Sequence, residues 1–330
     1  MAHAASSRQD LLVRAMPAIF VLIWSTGFIV ARYGMPHAPP MKFLALRYVL
    51  SVACFAAWAL MARAAWPTGA HQIRHLAITG VLIHAGYLGG VWSAVKFGMG
   101  AGLVALLVGL QPVLTALWLS SQGGTVSRRQ WAGLALGIVG LALVVWQKLG
   151  LGEIHGLNLI LASGALVSIT AGTLYQKRFV APCDVRTAGL VQLLAALAVT
   201  LPLAWLEPET MQWTSAVISV NPQPGGMNRE LAGLNRGLVA VNWELAGAMA
   251  WSVLALTLGG SSLLYLLIQR GAATAVTSLL FLVPPCTAVM AWLLFAEPIT
   301  GLTVAGVLLT AVGVGLVVRV PASATSPKPG

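Results

Sequence analysis

Charge is scarce in this 330-residue chain: 8% of its residues are Asp, Glu, Lys or Arg, and the acids number only eight. A soluble domain carries about a quarter charged residues to cover its surface, so a soluble fold is excluded. Cysteine is scarce too. Cys54, Cys183 and Cys286 lie far apart, two of them inside apolar stretches, which speaks against a disulfide framework and a paired-thiolate metal site. What the chain does have is 58% hydrophobic residues and a mean hydropathy of +0.86. Leu103 to Leu119 and Leu302 to Val318 contain no charge at all. This composition also excludes disorder and a collagen-like chain.

A bilayer-spanning helix needs roughly 20 apolar residues. The apolar stretches predict an all-α integral membrane protein with ten transmembrane helices: Val13–Arg32, Phe43–Met61, Leu76–Lys96, Gly100–Ser120, Gln130–Trp146, Gly156–Gln176, Ala188–Leu206, Leu245–Gln269, Ala272–Phe295 and Leu302–Val320. The first stretch continues through Trp24 and Phe28 to Arg32 without a small-residue cleavage site, so it reads as a span and not as a cleavable signal. The third and fourth spans are joined by Phe97-Gly98-Met99 and the eighth and ninth by Arg270-Gly271. Links this short force antiparallel neighbours.

The net charge of +11 is distributed by side. With a cytoplasmic N-terminus and ten spans, twelve Lys and Arg fall in cytoplasmic segments and six in outer loops, with Arg47 left inside a span; six of the eight acids fall outside. This is the positive-inside bias. It places both termini in the cytoplasm and makes the bilayer, and not nucleic acid, the partner of the basic residues.

The chain also reads as two copies of one unit. An offset of 145 carries Gly27, Arg32 and Arg47 onto Gly172, Lys177 and Gln192. Later, an offset of 173 carries Trp92, Gly98, Pro112, Gly133 and Gly140 onto Tyr265, Gly271, Pro285, Gly306 and Gly313. The two offsets differ by 28 residues, which places an insertion at about 215–243, on the outer side. Five spans per copy is an odd number, so the second copy is inverted, as in secondary transporters that bind substrate at the repeat interface. The expected organisation is a cytoplasmic tail over 1–12, a first five-helix repeat over 13–150, a second over 151–320 and a cytoplasmic tail over 321–330. Within the insertion, Pro222, Pro224, Gly225 and Gly226 predict an opening turn-rich loop, and the second half is a candidate amphipathic surface helix. Glu-Leu-Ala-Gly occurs twice, at Glu230–Gly233 and Glu244–Gly247, as in a local duplication.

The residues then show a resemblance. Trp24-Ser25-Thr26-Gly27-Phe28, Leu46-Arg47-Tyr48, the run Ala101–Leu119 with Gln111-Pro112, and Leu280-Phe281-Leu282-Val283-Pro284-Pro285 followed by Trp292–Glu297 resemble the EamA family of the drug/metabolite transporter superfamily. The resemblance covers roughly 14–146 and 157–319. It implies a carrier of small metabolites or amino acids, working in export at the bacterial inner membrane, as a monomer or homodimer. Two features depart from the pattern: Gly124 stands where the first half would match Glu297, and the outer insertion is extra.

Ionisable groups inside a membrane are expensive and prompt a functional hypothesis. Arg47, about one turn into the second span, is a candidate to attract an anionic substrate group; the alternative is a structural arginine hydrogen-bonded to helix ends or snorkelling to the interface. His84, mid-span, is either a proton relay or a packed neutral histidine. The candidate substrate-lining set is Trp24, Ser25, Arg47, His84, Tyr87, Trp92, Gln111, Thr173, Tyr175, Tyr265, Ser278 and Phe281, an aromatic lining with a few polar groups. Each has helix packing as its alternative. No Asp or Glu sits at a span centre, which argues against carboxylate-gated ion coupling. No His-Glu-x-x-His, paired-cysteine or catalytic acid–base set is present, so neither an enzyme nor a metal or other cofactor is expected. A lipid-modifying membrane enzyme and a non-transporting partner or sensor subunit remain as rival functions.

Overall fold

The computed structural model describes residues 2–123, 127–150, 152–216, 239–263 and 282–318. The helices are α1 (Ala2–Gly34), α2 (Pro40–Met61), α3 (Ala70–Lys96), α4 in two pieces (Ala101–Val108 and Gln111–Ser121), α5 (Arg128–Gly150), α6 (Gly156–Phe179) and α7 (Val185–Leu206). After them come α8 (Trp243–Trp251, continuing to Ser261), α9 (Val283–Phe295) and α10 (Gly301–Val318). Six of these stretches, among the described residues, are long and apolar enough to cross a membrane. Residues 264–269 of the eighth expected span and 272–281 of the ninth lie outside the described residues, as do Arg270 and Gly271.

Several expectations are corrected at the level of single elements. α1 is helical from Ala2, through residues assigned to the tail. α3 starts at Ala70, not Leu76. The candidate surface helix of the insertion lies almost wholly outside the described residues; at its end Val239–Val241 is a strand paired antiparallel with Thr214–Ala216. Thr214 opposite Val241 sets two β-branched residues against each other, which favours this pairing. Asn242 then caps α8 by accepting from Leu245 N at 3.1 Å, so the second Glu-Leu-Ala-Gly is the first turn of a span.

Two helices are wound wide. α3 is a π-helix over Val81–Leu88, and α8 over Ser252–Ser261. Adding 173 to the first segment gives 254–261, so the two wide turns sit at repeat-related places. Hydroxyls serve the loosened carbonyls: Tyr48 Oη donates to His84 O at 2.7 Å, Ser168 Oγ to Leu82 O at 2.8 Å and Thr257 Oγ1 to Ser252 O at 2.8 Å. In an apolar medium such partners are obligatory.

The prolines also act in pairs. α4 breaks at Gly109-Leu110, and Pro112 falls in the first turn of the second piece, where its missing N–H costs nothing. Pro284 and Pro285 open α9 in the same way. The breaks touch: a Cβ on Gly109 would come within 2.7 Å of Pro284 Cγ. At the hairpin between α3 and α4, Gly98 has φ +89°, a conformation that glycine supplies without strain.

Helix contacts repeat between the halves. α2 packs on α7 and α8, while α7 packs on α2 and α3. α1 packs on α8 and α9, while α6 packs on α3 and α4. α5 and α10 form a side pair, with Gly140 against Gly306 and Thr310, and Gly313 against Gly133 and Gly137. The offset of 173 converts each of these glycine contacts into the other.

Carboxylates from one helix end cap another helix start. Glu207, after α7, accepts from Met41 N and Lys42 N at 2.9 Å each, and Glu297, after α9, accepts from Ala101 N at 3.0 Å. Both satisfy first-turn donors and complement the helix dipole. Glu207→Ala is expected to cost about 1–2 kcal/mol, read as a lower melting temperature of the purified protein in detergent. Glu209→Ala, which breaks only the exposed pair with Lys96, is the near-neutral control.

Candidate functional site

The interior polar cluster is assembled from both halves. Arg47, on α2, reaches across to α8, where its Nε and Nη2 donate to Thr257 Oγ1 at 3.1 and 3.0 Å. Its guanidinium carbon stands 5.8 Å from the Trp92 ring centre, a cation–π distance. Trp92 is in turn stacked on Phe43 at 4.6 Å. Tyr48, next to Arg47 on α2, donates from Oη to His84 O at 2.7 Å, with the two rings 6.2 Å apart, and Tyr87 lies within electrostatic reach of the same charge and beside the Trp24 side chain. Arg47, Tyr87 and Trp92 are 5, 4 and 1% exposed. The charge is therefore in the protein interior. Neither snorkelling to an interface nor capping of helix ends, the two structural roles open to it in the sequence, describes this geometry.

A counterpart stands opposite it. His84, on α3, lies beside the side chain of Gln192 on α7. The offsets of 145 and 173 carry Arg47 onto Gln192 and His84 onto Thr257. The α2–α8 pair and the α7–α3 pair thus occupy repeat-related places, one with an arginine and one with a glutamine.

Of the twelve residues singled out in the sequence, Trp24, Arg47, His84, Tyr87 and Trp92 come together here. Gln111 and Thr173 meet each other beside the break in α4, with Gln111 Nε2 donating to Thr173 Oγ1 at 3.0 Å. Ser25 is fully buried, and its hydroxyl donates to Val21 O of its own helix at 2.7 Å. Tyr175 joins a different group: its Oη is 2.6 Å from His75 Nδ1, and His75 Nε2 is 3.0 Å from the exposed His71. Tyr265, Ser278 and Phe281 lie outside the described residues. Tyr48, Gln192 and Thr257 were missed as site residues. The signal for Gln192 was present in its repeat relation to Arg47; Thr257, an ordinary hydroxyl in an apolar run, gave none.

Two cavities flank the cluster. At the N-terminal end of α8, one of about 370 Å³ is lined by Val30, Tyr33, Trp243, Glu244, Gly247 and Ala248. At the other end of α2 and α8, one of about 530 Å³ is lined, among the described residues, by Trp58, Ser262 and the segment Pro182–Arg186. There Arg186 hydrogen-bonds Asp184 through Nε and Nη2 at 2.9 and 2.6 Å and lies 5.6 Å from the Trp58 ring. Those bonds hold the Asp184 carboxyl below its usual range.

Comparison with known proteins agrees with this architecture. The model of the EamA-like transporter family matches residues 15–146 and 156–319. The chain belongs to the EamA-like transporter family. It is 26% identical over 298 residues to a probable amino-acid metabolite efflux pump of Salmonella typhimurium, covering 89% of this chain and 91% of the relative. It is 25% identical over 312 residues to the uncharacterized transporter YvbV of Bacillus subtilis, covering 91% and 89%. A chain of known crystal structure superposes with a TM-score of 0.52 at 18% identity, covering 91% of this chain and 94% of its own; that likeness bears on the fold alone. This EamA-family chain is a multi-pass membrane transporter.

Proposed function

We propose that the protein is a secondary transporter that exports small metabolites, amino acids among them, across the bacterial inner membrane by alternating access of two inverted five-helix halves. The observation that carries this reading is Arg47: a cation from the first repeat, buried against Thr257 of the second. Rocking of α2 and α7 against α8 and α3 would make and break this contact and its counterpart, opening the cluster to one flanking cavity and then the other. The repeat-related π-helical turns and the self-matching α5–α10 glycine contacts support the inverted repeat. Export of amino-acid metabolites is supported by the printed description of the Salmonella relative, and the cytoplasmic placement of both termini by the distribution of Lys and Arg.

The reading is tested by counterflow. Proteoliposomes carrying the purified protein are loaded with pooled, isotope-labelled amino acids and small metabolites, and exchange is read by mass spectrometry. Exchange of a narrow set is expected. A folded preparation that exchanges none of them moves the assignment to a non-transporting partner or sensor subunit. Against that rival, Tyr87 is buried, Trp24 packs against the buried core, and Gln111 hydrogen-bonds to Thr173 of another helix. Deleting Asn221–Asn235 is expected to leave exchange rates within about twofold, because loops tolerate shortening. Loss of exchange with unchanged melting would make the insertion part of the transport path.

A further inference from the structure

We propose that Arg47, at the contact of α2 with α8, forms a carboxylate subsite, so that the transported compounds are those bearing a free carboxylate. This rests on the carrier reading above and names its substrate class.

Arginine has five N–H donors. Two of those of Arg47, on Nε and Nη2, go to Thr257, while Nη1 is buried without a partner among the described residues. Two more buried polar atoms lack a partner, Ser51 Oγ and Ser262 Oγ, in side chains 0 and 7% exposed. Ser51 is one α-turn beyond Arg47 on α2. Ser262 is five residues beyond Thr257, one turn of the wide helix, on the same face of α8. The two helices start side by side, with His37 paired to Glu244 at 2.8 Å, and so run in the same direction. Ser51 thus lies one turn beyond Arg47, and Ser262 lines the cavity beside Trp58 toward the other end of both helices.

Among the described residues the charge is uncompensated. Six of the eight acids have described side chains, and all six are engaged elsewhere. Glu153 pairs with Lys148, Asp184 with Arg186, Glu209 with Lys96 and Glu244 with His37, while Glu207 and Glu297 cap helices. A buried cation without a counter-charge is strongly unfavourable. A water molecule would satisfy the N–H groups but would leave the charge. A carboxylate answers both needs, offering about four lone-pair directions that Nη1 can fill in a charge-assisted bond, with the Ser51 and Ser262 hydroxyls as further polar steps toward the cavity beside Trp58. Because Gln192 stands at the repeat-related position of Arg47, the cluster has one arginine pole, and the rest of the compound would extend toward α3 and α7.

The test uses matched pools in proteoliposomes and in thermal-shift assays of the purified protein: amino acids with their 2-oxo acids in one, the corresponding carboxamides in the other. The acid pool is expected to exchange and to raise the melting temperature, with the carboxamides about tenfold or more weaker, the size of one lost charge-assisted interaction. Ser51→Ala and Ser262→Ala, which disturb packing little, are expected to weaken acid exchange severalfold without lowering the melting temperature. Equal exchange of both pools leaves the carrier reading standing and overturns the subsite. Unchanged acid exchange in both serine variants also overturns it. Stabilisation by sodium nitrate or phosphate equal to that by the acid pool assigns the position to an inorganic anion instead. Exchange of neither pool by folded protein removes the carrier reading and the subsite together.

Discussion

Arg47→Met is expected to abolish transport, by at least about tenfold, while the purified protein melts at the same temperature or higher. The first half follows from position: Arg47 bridges α2 and α8 at the centre of the cluster, and its Nη1 is the unused donor there. The second half follows from energetics. Replacing a buried unpaired cation by an apolar side chain of similar length removes a desolvation cost and is commonly neutral or stabilising. Sites that sacrifice stability for activity show this opposition. Arg63→Ala, at an exposed position just beyond α2, is expected to leave both properties unchanged. The checks are initial exchange rates at equal reconstituted amounts and melting in detergent. A variant that melts early and transports in proportion to its folded fraction would make Arg47 a structural residue and would sink the functional assignment.

Gly313→Leu is expected to be strongly destabilising. A Cβ there would lie 2.5 Å from both Gly133 O and Gly137 N, and backbone cannot move aside as a flexible side chain can. The repeat-related contact, Gly140 against Gly306 O at 2.5 Å, cannot relax independently because both belong to one helix pair. Overpacking of this kind costs about 1–3 kcal/mol, so a marked fall in melting temperature and in folded yield is expected. Gly315→Leu, on the same helix with open space around its Cβ position, is the matched control. If both variants melt alike, the close approach of α5 and α10 is not a determinant of stability.

The sequence carried much of the architecture. Spans were legible because a membrane imposes long uncharged runs, and the observed helix ends mostly fall within a few residues of those runs. Gly133, Gly140, Gly306 and Gly313 were readable as repeat-related positions, and the structure sets them where α5 and α10 approach closely. The sequence did not show the strand at 239–241 at the insertion's end, because its pairing partner at 214–216 lies at the insertion's opposite edge. It also grouped Tyr175 with the central residues. In the structure Tyr175 faces His75 near the start of α3, since helical period alone cannot tell which neighbour a face meets.

Composition and pattern by themselves determined that this chain is a polytopic helical membrane protein built from two similar units, and that Arg47 is out of place in its span. Those are local properties: hydropathy, spacing and a charge in an apolar run can be read one segment at a time. Only the tertiary structure decided what Arg47 meets. Thr257 lies 210 residues away, Trp92 comes from a third helix, and the two π-helical turns exist through hydrogen bonds that cross between helices or reach five residues back. A buried charge takes its meaning from its partners, and here those are supplied by packing between the halves.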